Sequence, residues 1–227
     1  MRLYKTMSGS PIATAGEYPI VYNDDIKEGT LVKLSGGVVV EATGVLNTDA
    51  NGLVGVTAEN HTGAEDPLNG RNNGEKILVY DNPEAVFAVK APIFSASGGS
   101  STTVTAADTA VACSTADAFN GGFVRLTEKT AASTNTDQIG QVRKISDYAQ
   151  ASNVSTFTVA SGGTAVSGDK YEVYPPIGAK SVMALDSTAR KVVLTTATLA
   201  NMVVVGHDMD KHEILLRMTE VTGSNAS

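Results

Sequence analysis

The chain has 227 residues, enough for one large all-β domain or two small ones around a sizeable core. A formal net charge of −7, with no run of Lys or Arg, argues against nucleic acid as a partner, because phosphate binding needs a basic stripe; it disfavours an anionic membrane surface equally. Hydrophobic residues at 42% exclude a disordered chain, and a single cysteine excludes a disulfide framework or a Cys-rich zinc site.

Aromatic residues are scarce and Trp is absent, so the core is expected to rest mainly on Val, Leu, Ile and Ala. The first residues, Met1 to Ser8, lack the apolar centre of a secretory signal, and no apolar run is long enough to span a bilayer. The expectation is a protein made in a cytoplasm that stays soluble or joins a particle there.

Residues 1–23 read as an extended N-terminal arm, because Pro11 and Pro19 block helix and the polar spacing gives no apolar face. Such an arm either hugs its own surface or is ordered by a neighbour. Residues 24–92 read as a small antiparallel β-barrel. Its runs are Ile26–Leu34, Val38–Ala42 after a turn at Gly36-Gly37, Gly52–Ala58, Lys76–Tyr80 and Glu84–Lys90, ending at Pro92. The long segment from Glu59 to Gly74 exceeds a hairpin connection and is a candidate contact loop.

Residues 93–120 carry the Gly/Ser/Thr/Ala composition of a linker or of an excursion from the barrel. The alternative is a β-hairpin, since Thr102–Thr105 has strand propensity. Residues 121–227 form a second β-rich block with a C-terminal tail. Its strands are expected at Gly121–Thr127, Ile139–Ile145, Ser155–Val159 and Gly168–Tyr174, the last stopped by Pro175-Pro176. In that run Tyr171 and Val173 alternate with Lys170, Glu172 and Tyr174, the pattern of a half-exposed strand. Val192–Leu194 and Val203–Val205 read as buried strands, Glu213–Val221 as a strand or a short helix, and Ser181–Arg190 as a place for a helical turn. The fold class is therefore all-β, a small barrel or sandwich followed by a second β block, with little helix.

Cys113, between Ala112 and Ser114, reads as a small buried hydrophobe rather than a thiolate, since no base lies near it in sequence. The segment His207, Asp208, Asp210 and His212 holds the right atoms for a transition metal. Its spacing is unhelpful: on a helix the two histidines diverge, and on a strand they face opposite sides. A solvated turn is the favoured reading, and no metal site is expected. Neither a phosphate-cradling glycine loop nor a nucleophile elbow occurs, so no catalytic residue, no cofactor and no enzymatic activity are expected.

The lead-in Ile26–Leu34, the later Gly52–Ala58 and the strand Val86–Val89 resemble the small β-barrel capsid-cement, or decoration, proteins of tailed bacteriophages. The resemblance implies a homo-oligomer, a trimer being favoured, on the outside of the phage head. Its partner would be the major capsid protein, whose subunits it would lock together, and no catalytic residues carry over. The chain departs from the smallest members by the block from Gly121 to Ser227. That block is either a domain projecting from the shell or a sign of another virion component, such as a tail-tube, head-fibre or minor capsid protein.

Overall fold

The structure, a computed structural model, describes residues 2–6, 15–20, 24–42, 44–45, 53–63, 75–82, 84–107, 111, 113, 116–181, 184–185 and 202–218. The first block contributes β1 (Arg2–Thr6), β2 (Gly16–Pro19), β3 (Leu31–Ser35), β4 (Val38–Glu41), β5 (Gly44–Val45), β6 (Leu53–Thr57), β7 (Lys76–Tyr80) and β8 (Ala85–Lys90). The remainder contributes β9 (Ile93–Gly99), β10 (Thr103–Ala106), β11 (Phe123–Glu128), β12 (Val142–Ala151), β13 (Val154–Val159), β14 (Lys170–Tyr174), β15 (Lys180–Ser181), β16 (Ala184–Leu185), β17 (Met202–Asp208) and β18 (Glu213–Met218). Among the described residues helical structure is limited to 3-10 conformation, at Val111 and in the turn Met209–Lys211, and no helix is long and apolar enough to cross a membrane. The chain is all-β, as its strand-sized periodicity predicts.

Strands β2-β7-β6-β3-β4 form one sheet, in which β3 and β4 are joined by the turn at Gly36-Gly37. Both glycines have positive φ (60° and 84°), the backbone that a tight two-residue hairpin needs. The sheet curls until its two edges touch through an isolated parallel bridge between Ile20 and Val39. Inside the curl lie Ile20, Ile26, Val32, Val39, Val54, Ile77 and Val79. Val54 is an extra residue opposite β3, since Val32 pairs with Gly55 and Lys33 with Leu53. That bulge lets Val54 fill the curl while Val56, two residues on, faces the other way.

The outer face of the curl, with Leu31, Ala42 and Val56, packs on a second sheet of order β1-β8-β18-β17-β15. From that sheet come Phe87, Val89, Met202, Val204, Ile214, Leu216 and Met218. These two sheets form a sandwich. Strand β8 ends the first block in sequence, but its neighbours are β1 and β18 from the two ends of the chain. The strands of residues 24–92 therefore divide among three sheets instead of forming one barrel, with β5 paired to β16 in a two-stranded sheet, and the expected arm supplies β1 and β2, each an edge strand.

The closed barrel lies elsewhere in the chain, at β10-β13-β12-β11-β14-β9. Residues 93–120, expected as a linker or an excursion, supply the hairpin β9–β10, which is the alternative that the threonine run had offered. The barrel occupies this stretch because the bulky side chains are here. Phe94, Phe157 and Tyr171 stack with ring centroids 5.3 and 5.8 Å apart, and Phe119 meets Tyr148 edge-on at 4.7 Å. A small closed barrel has to be filled by its own side chains, and a few large rings do that better than many valines.

Each mouth of the barrel is closed by a crossover segment. At one, the buried Tyr148 hydroxyl accepts from the Cys113 amide (3.1 Å) and donates to the Cys113 carbonyl (2.8 Å), and Cys113 is itself buried. At the other lies a polar cluster. Asp137 takes the Gly163 amide at 2.7 Å and pairs with the buried Arg143 guanidinium, which also donates to the Gly163 carbonyl. A Cβ on Gly163 would overlap the Asn135 side chain, so only glycine fits there. Asp169, fully buried, accepts from the Thr130 amide (3.1 Å), the Ser133 hydroxyl (2.9 Å), the Asn135 amide group (3.2 Å) and the Val166 amide (3.4 Å).

The barrel begins just after β8 and ends just before β15, so it is an insertion into the sandwich. Its ingoing strand β9 and outgoing strand β14 lie side by side, with Ile93 opposite Glu172, and Pro92 and Pro175 mark the two crossings.

Burial pushes the Asp169 carboxyl up, but its four donors together hold it below its ordinary value. The stability it contributes is complete above the unfolded carboxylate value of about 3.9 and is lost as pH falls through the lower folded value. Urea midpoints measured from about pH 6 down to about pH 2 should fall, and less steeply in Asp169→Asn. Asp169→Ala, which strands several buried donors, should cost about 3 kcal/mol near neutral pH.

Candidate functional site

The place where the barrel meets the sandwich collects the ionisable side chains that the sequence had singled out. Alternation along β11 sends Val124 and Leu126 into the barrel and leaves Arg125 and Thr127 on its outer wall. In β14, Tyr171 and Val173 point inward, while Glu172 and Tyr174 point out. The outward pair is nonetheless buried, at 2% and 0% exposure, because the sandwich covers that wall. The half-exposed strand expected at 170–174 is thus buried on both faces from Tyr171 onward.

Glu172 is the centre of the junction. Its carboxylate accepts from the Tyr174 hydroxyl at 2.8 Å and from His212 Nδ1 at 2.6 Å, and Arg125 Nη1 lies 3.8 Å away. Arg125 also donates to the Met209 carbonyl, so the guanidinium spans from the barrel wall to the β17–β18 connection. Burial, reinforced by the Glu172 carboxylate, pushes the Tyr174 phenol well above its ordinary value. The carboxylate can only accept, so His212 Nδ1 is the donor of that bond. An open cleft of about 450 Å³ runs beside these groups, lined also by Lys90, Ile93, Thr127 and Lys170.

His207 and His212 are not brought together. His207 donates from Nε2 to the Pro175 carbonyl at 2.8 Å, with the edges of Phe123 and Tyr174 against its ring, and burial lowers its pKa. Asp208 caps the 3-10 turn by accepting from the Lys211 amide at 3.2 Å, pairs with Lys211 Nζ at 3.0 Å and accepts from the Tyr4 hydroxyl at 3.3 Å. Asp210 is exposed in that turn. His212 closes it in the left-handed region at φ 58°, which aims its ring back at Glu172. Among the described residues no group of three or more His, Cys, Asp or Glu side chains is arranged to hold a metal ion.

What this arrangement can do is hold two bodies in register. A buried carboxylate takes one phenol and one imidazole from the two sides of the junction, and an arginine bridges to a backbone carbonyl. Sequence reasoning found the histidines but missed Arg125 and Glu172. The available signal was Pro92 and Pro175-Pro176, which bracket the barrel and mark where a junction had to lie. The candidate contact loop falls largely outside the described residues, since only 59–63 of it are described; so do the strand expected at 192–194 and most of 181–190.

Comparison with known proteins adds no relative: no protein-family model matches the chain, and neither a curated protein nor a solved structure does.

Glu172→Ala should leave the Tyr174 hydroxyl buried without its acceptor and the Arg125 charge without its counter-ion, at a cost of about 3 kcal/mol by urea denaturation. Lys90→Ala, on the exposed rim of the cleft, should move the midpoint by less than about 0.5 kcal/mol.

Proposed function

We propose that this chain is a structural protein of a tailed-phage particle. In this reading it is a decoration protein that binds the outside of the head and stabilises contacts between major capsid subunits. It would act as a homo-oligomer, a trimer being the favoured form. The observation that carries the reading is a set of bulky aliphatic side chains left facing solvent on the barrel and at its root. Ile139 is 64% exposed, Ile177 67%, Ile93 52% and Val142 39%. In a protein whose buried ionisable groups are largely spent on internal bonds, such side chains are contact material rather than chemistry.

Two further features support it. Two of the stretches that resemble cement proteins, around β3 and β6, lie in a small curled sheet with its own aliphatic core, and the third, Val86–Val89, lies in the sheet packed against it. The barrel, carried out of the sandwich on two adjacent strands, suits a domain that stands off a shell or reaches toward a neighbour. Contacts of modest affinity repeated over many sites accumulate by avidity, so no single surface has to be large. The same features suit another virion component, such as a head-fibre, tail-tube or minor capsid subunit, and stoichiometry separates the two.

Quantitative mass spectrometry of purified particles should find a simple fixed ratio of this chain to the major shell protein. A handful of copies would assign it to the tail, neck or fibres, and absence from particles would overturn the structural role. Ile139→Lys should alter folding stability by less than about 0.5 kcal/mol, as expected of an exposed site. In a sedimentation assay it should weaken attachment to particles that lack the native protein.

A further inference from the structure

Near the seam where the curled sheet closes, Ile26 and His61 exchange both backbone hydrogen bonds, at 2.9 and 2.7 Å. That bridge sets the His61 side chain, 12% exposed, between two oxygen acceptors from different parts of the chain. Nδ1 lies 2.8 Å from the Asp24 carbonyl oxygen, and Nε2 lies 2.9 Å from a carboxylate oxygen of Glu75. A carbonyl oxygen can only accept, and so can an ionised carboxylate. Each ring nitrogen therefore makes its bond only while it carries a proton. The neutral ring carries one proton, so both contacts form together only in the imidazolium.

We propose that His61 is a proton-operated clamp: as imidazolium it ties the Asp24 segment to the start of β7, and loss of one proton to solvent breaks one of the two ties. The consequence reaches the seam through Glu75. The carbonyl of this residue accepts from the Ile20 amide at 3.1 Å, and Ile20 makes the bridge to Val39 that brings the sheet edges together. Releasing the Glu75 side chain loosens the residue that holds that closing bridge. The device holds whether or not the chain belongs to a phage particle.

The charged groups around the ring favour this. Glu75 approaches from the start of β7 and Asp24 from the segment before Ile26, and both favour the cation. Asp25 accepts from the Gly63 amide at 2.9 Å, and Glu59 accepts from the Leu78 amide at 2.9 Å. Lys76, the neighbour of Glu75, is turned to Glu17 at 2.7 Å. Burial opposes the charge, but the Asp24 and Glu75 acceptors together lift the titration above the ordinary histidine value. A raised folded value means that the contribution is complete below about pH 6.5, the unfolded value, and is lost as pH rises through the folded one.

The test uses the full chain. Imidazole resonances are followed by NMR from about pH 5 to about pH 9, and the His61 signal is assigned by its loss in His61→Gln. It should titrate above about 6.5. Urea denaturation of both proteins then gives the folded-to-unfolded ratio of the native chain relative to His61→Gln. That relative ratio should fall at least about three-fold between about pH 5.5 and about pH 8.5. A His61 signal that titrates at or below the ordinary value overturns the clamp, and so does a relative ratio that does not change with pH. Should His61→Gln fail to fold, amide exchange at Ile26 and His61 in the native chain, corrected for intrinsic pH dependence, serves in its place. Faster opening at high pH supports the clamp, and constant opening refutes it.

Discussion

The antiparallel pairing of β9 with β14 is the constraint on which the rest of the molecule depends. It closes the six-stranded barrel, and it brings the ingoing and outgoing chains to adjacent positions with Glu172 opposite Ile93. Without it the barrel would present two open edges, and β8 and β15 would lose the fixed spacing that lets both join one sheet. The junction chemistry follows from the same pairing. Glu172 sits on the outer wall because its strand neighbours point inward, and the sandwich then has to satisfy its charge.

Buried polar groups divide between two tasks. At the far mouth of the barrel, Asp137, Arg143, Asn135 and Asp169 take the place of an apolar plug and bind the crossover through glycine-sized gaps. At the junction, Glu172, Arg125 and His212 join surfaces that an apolar contact would have joined without directional preference. Directional bonds of this kind fix one orientation of the inserted domain among the many that hydrophobic contact would accept.

Much of the fold was legible in the sequence, strand by strand. Short runs of β-type residues located β4, β6, β7, β8, β11, β13 and β14 closely and β3 and β17 more loosely, because strand propensity and alternation are local properties of a pleated chain. Partnership between strands is not local. Nothing within Ala85–Lys90 says that its neighbours will be Arg2–Thr6 and Glu213–Met218. The Gly98-Gly99-Ser100-Ser101 stretch misled for a related reason. Its composition matches a linker, yet both glycines have positive φ, and a side chain at Gly99 would collide with the Thr103 backbone of the opposing strand. The histidine-bearing turn was legible as a turn. Its connection to Glu172 was not, since that contact spans forty residues of sequence.

The insertion also shapes how the chain can reach this structure. The sandwich sheet must join β8 to β18 across the whole barrel sequence, a closure whose entropic cost grows with the length of free chain between the ends. Once β9 and β14 have paired, that chain is no longer free: the folded barrel presents its two ends side by side and acts as a short, stiff connector. A barrel that forms first turns a long-range search into a nearly local one. The topology thus makes the middle of the polypeptide a template on which its two ends can meet.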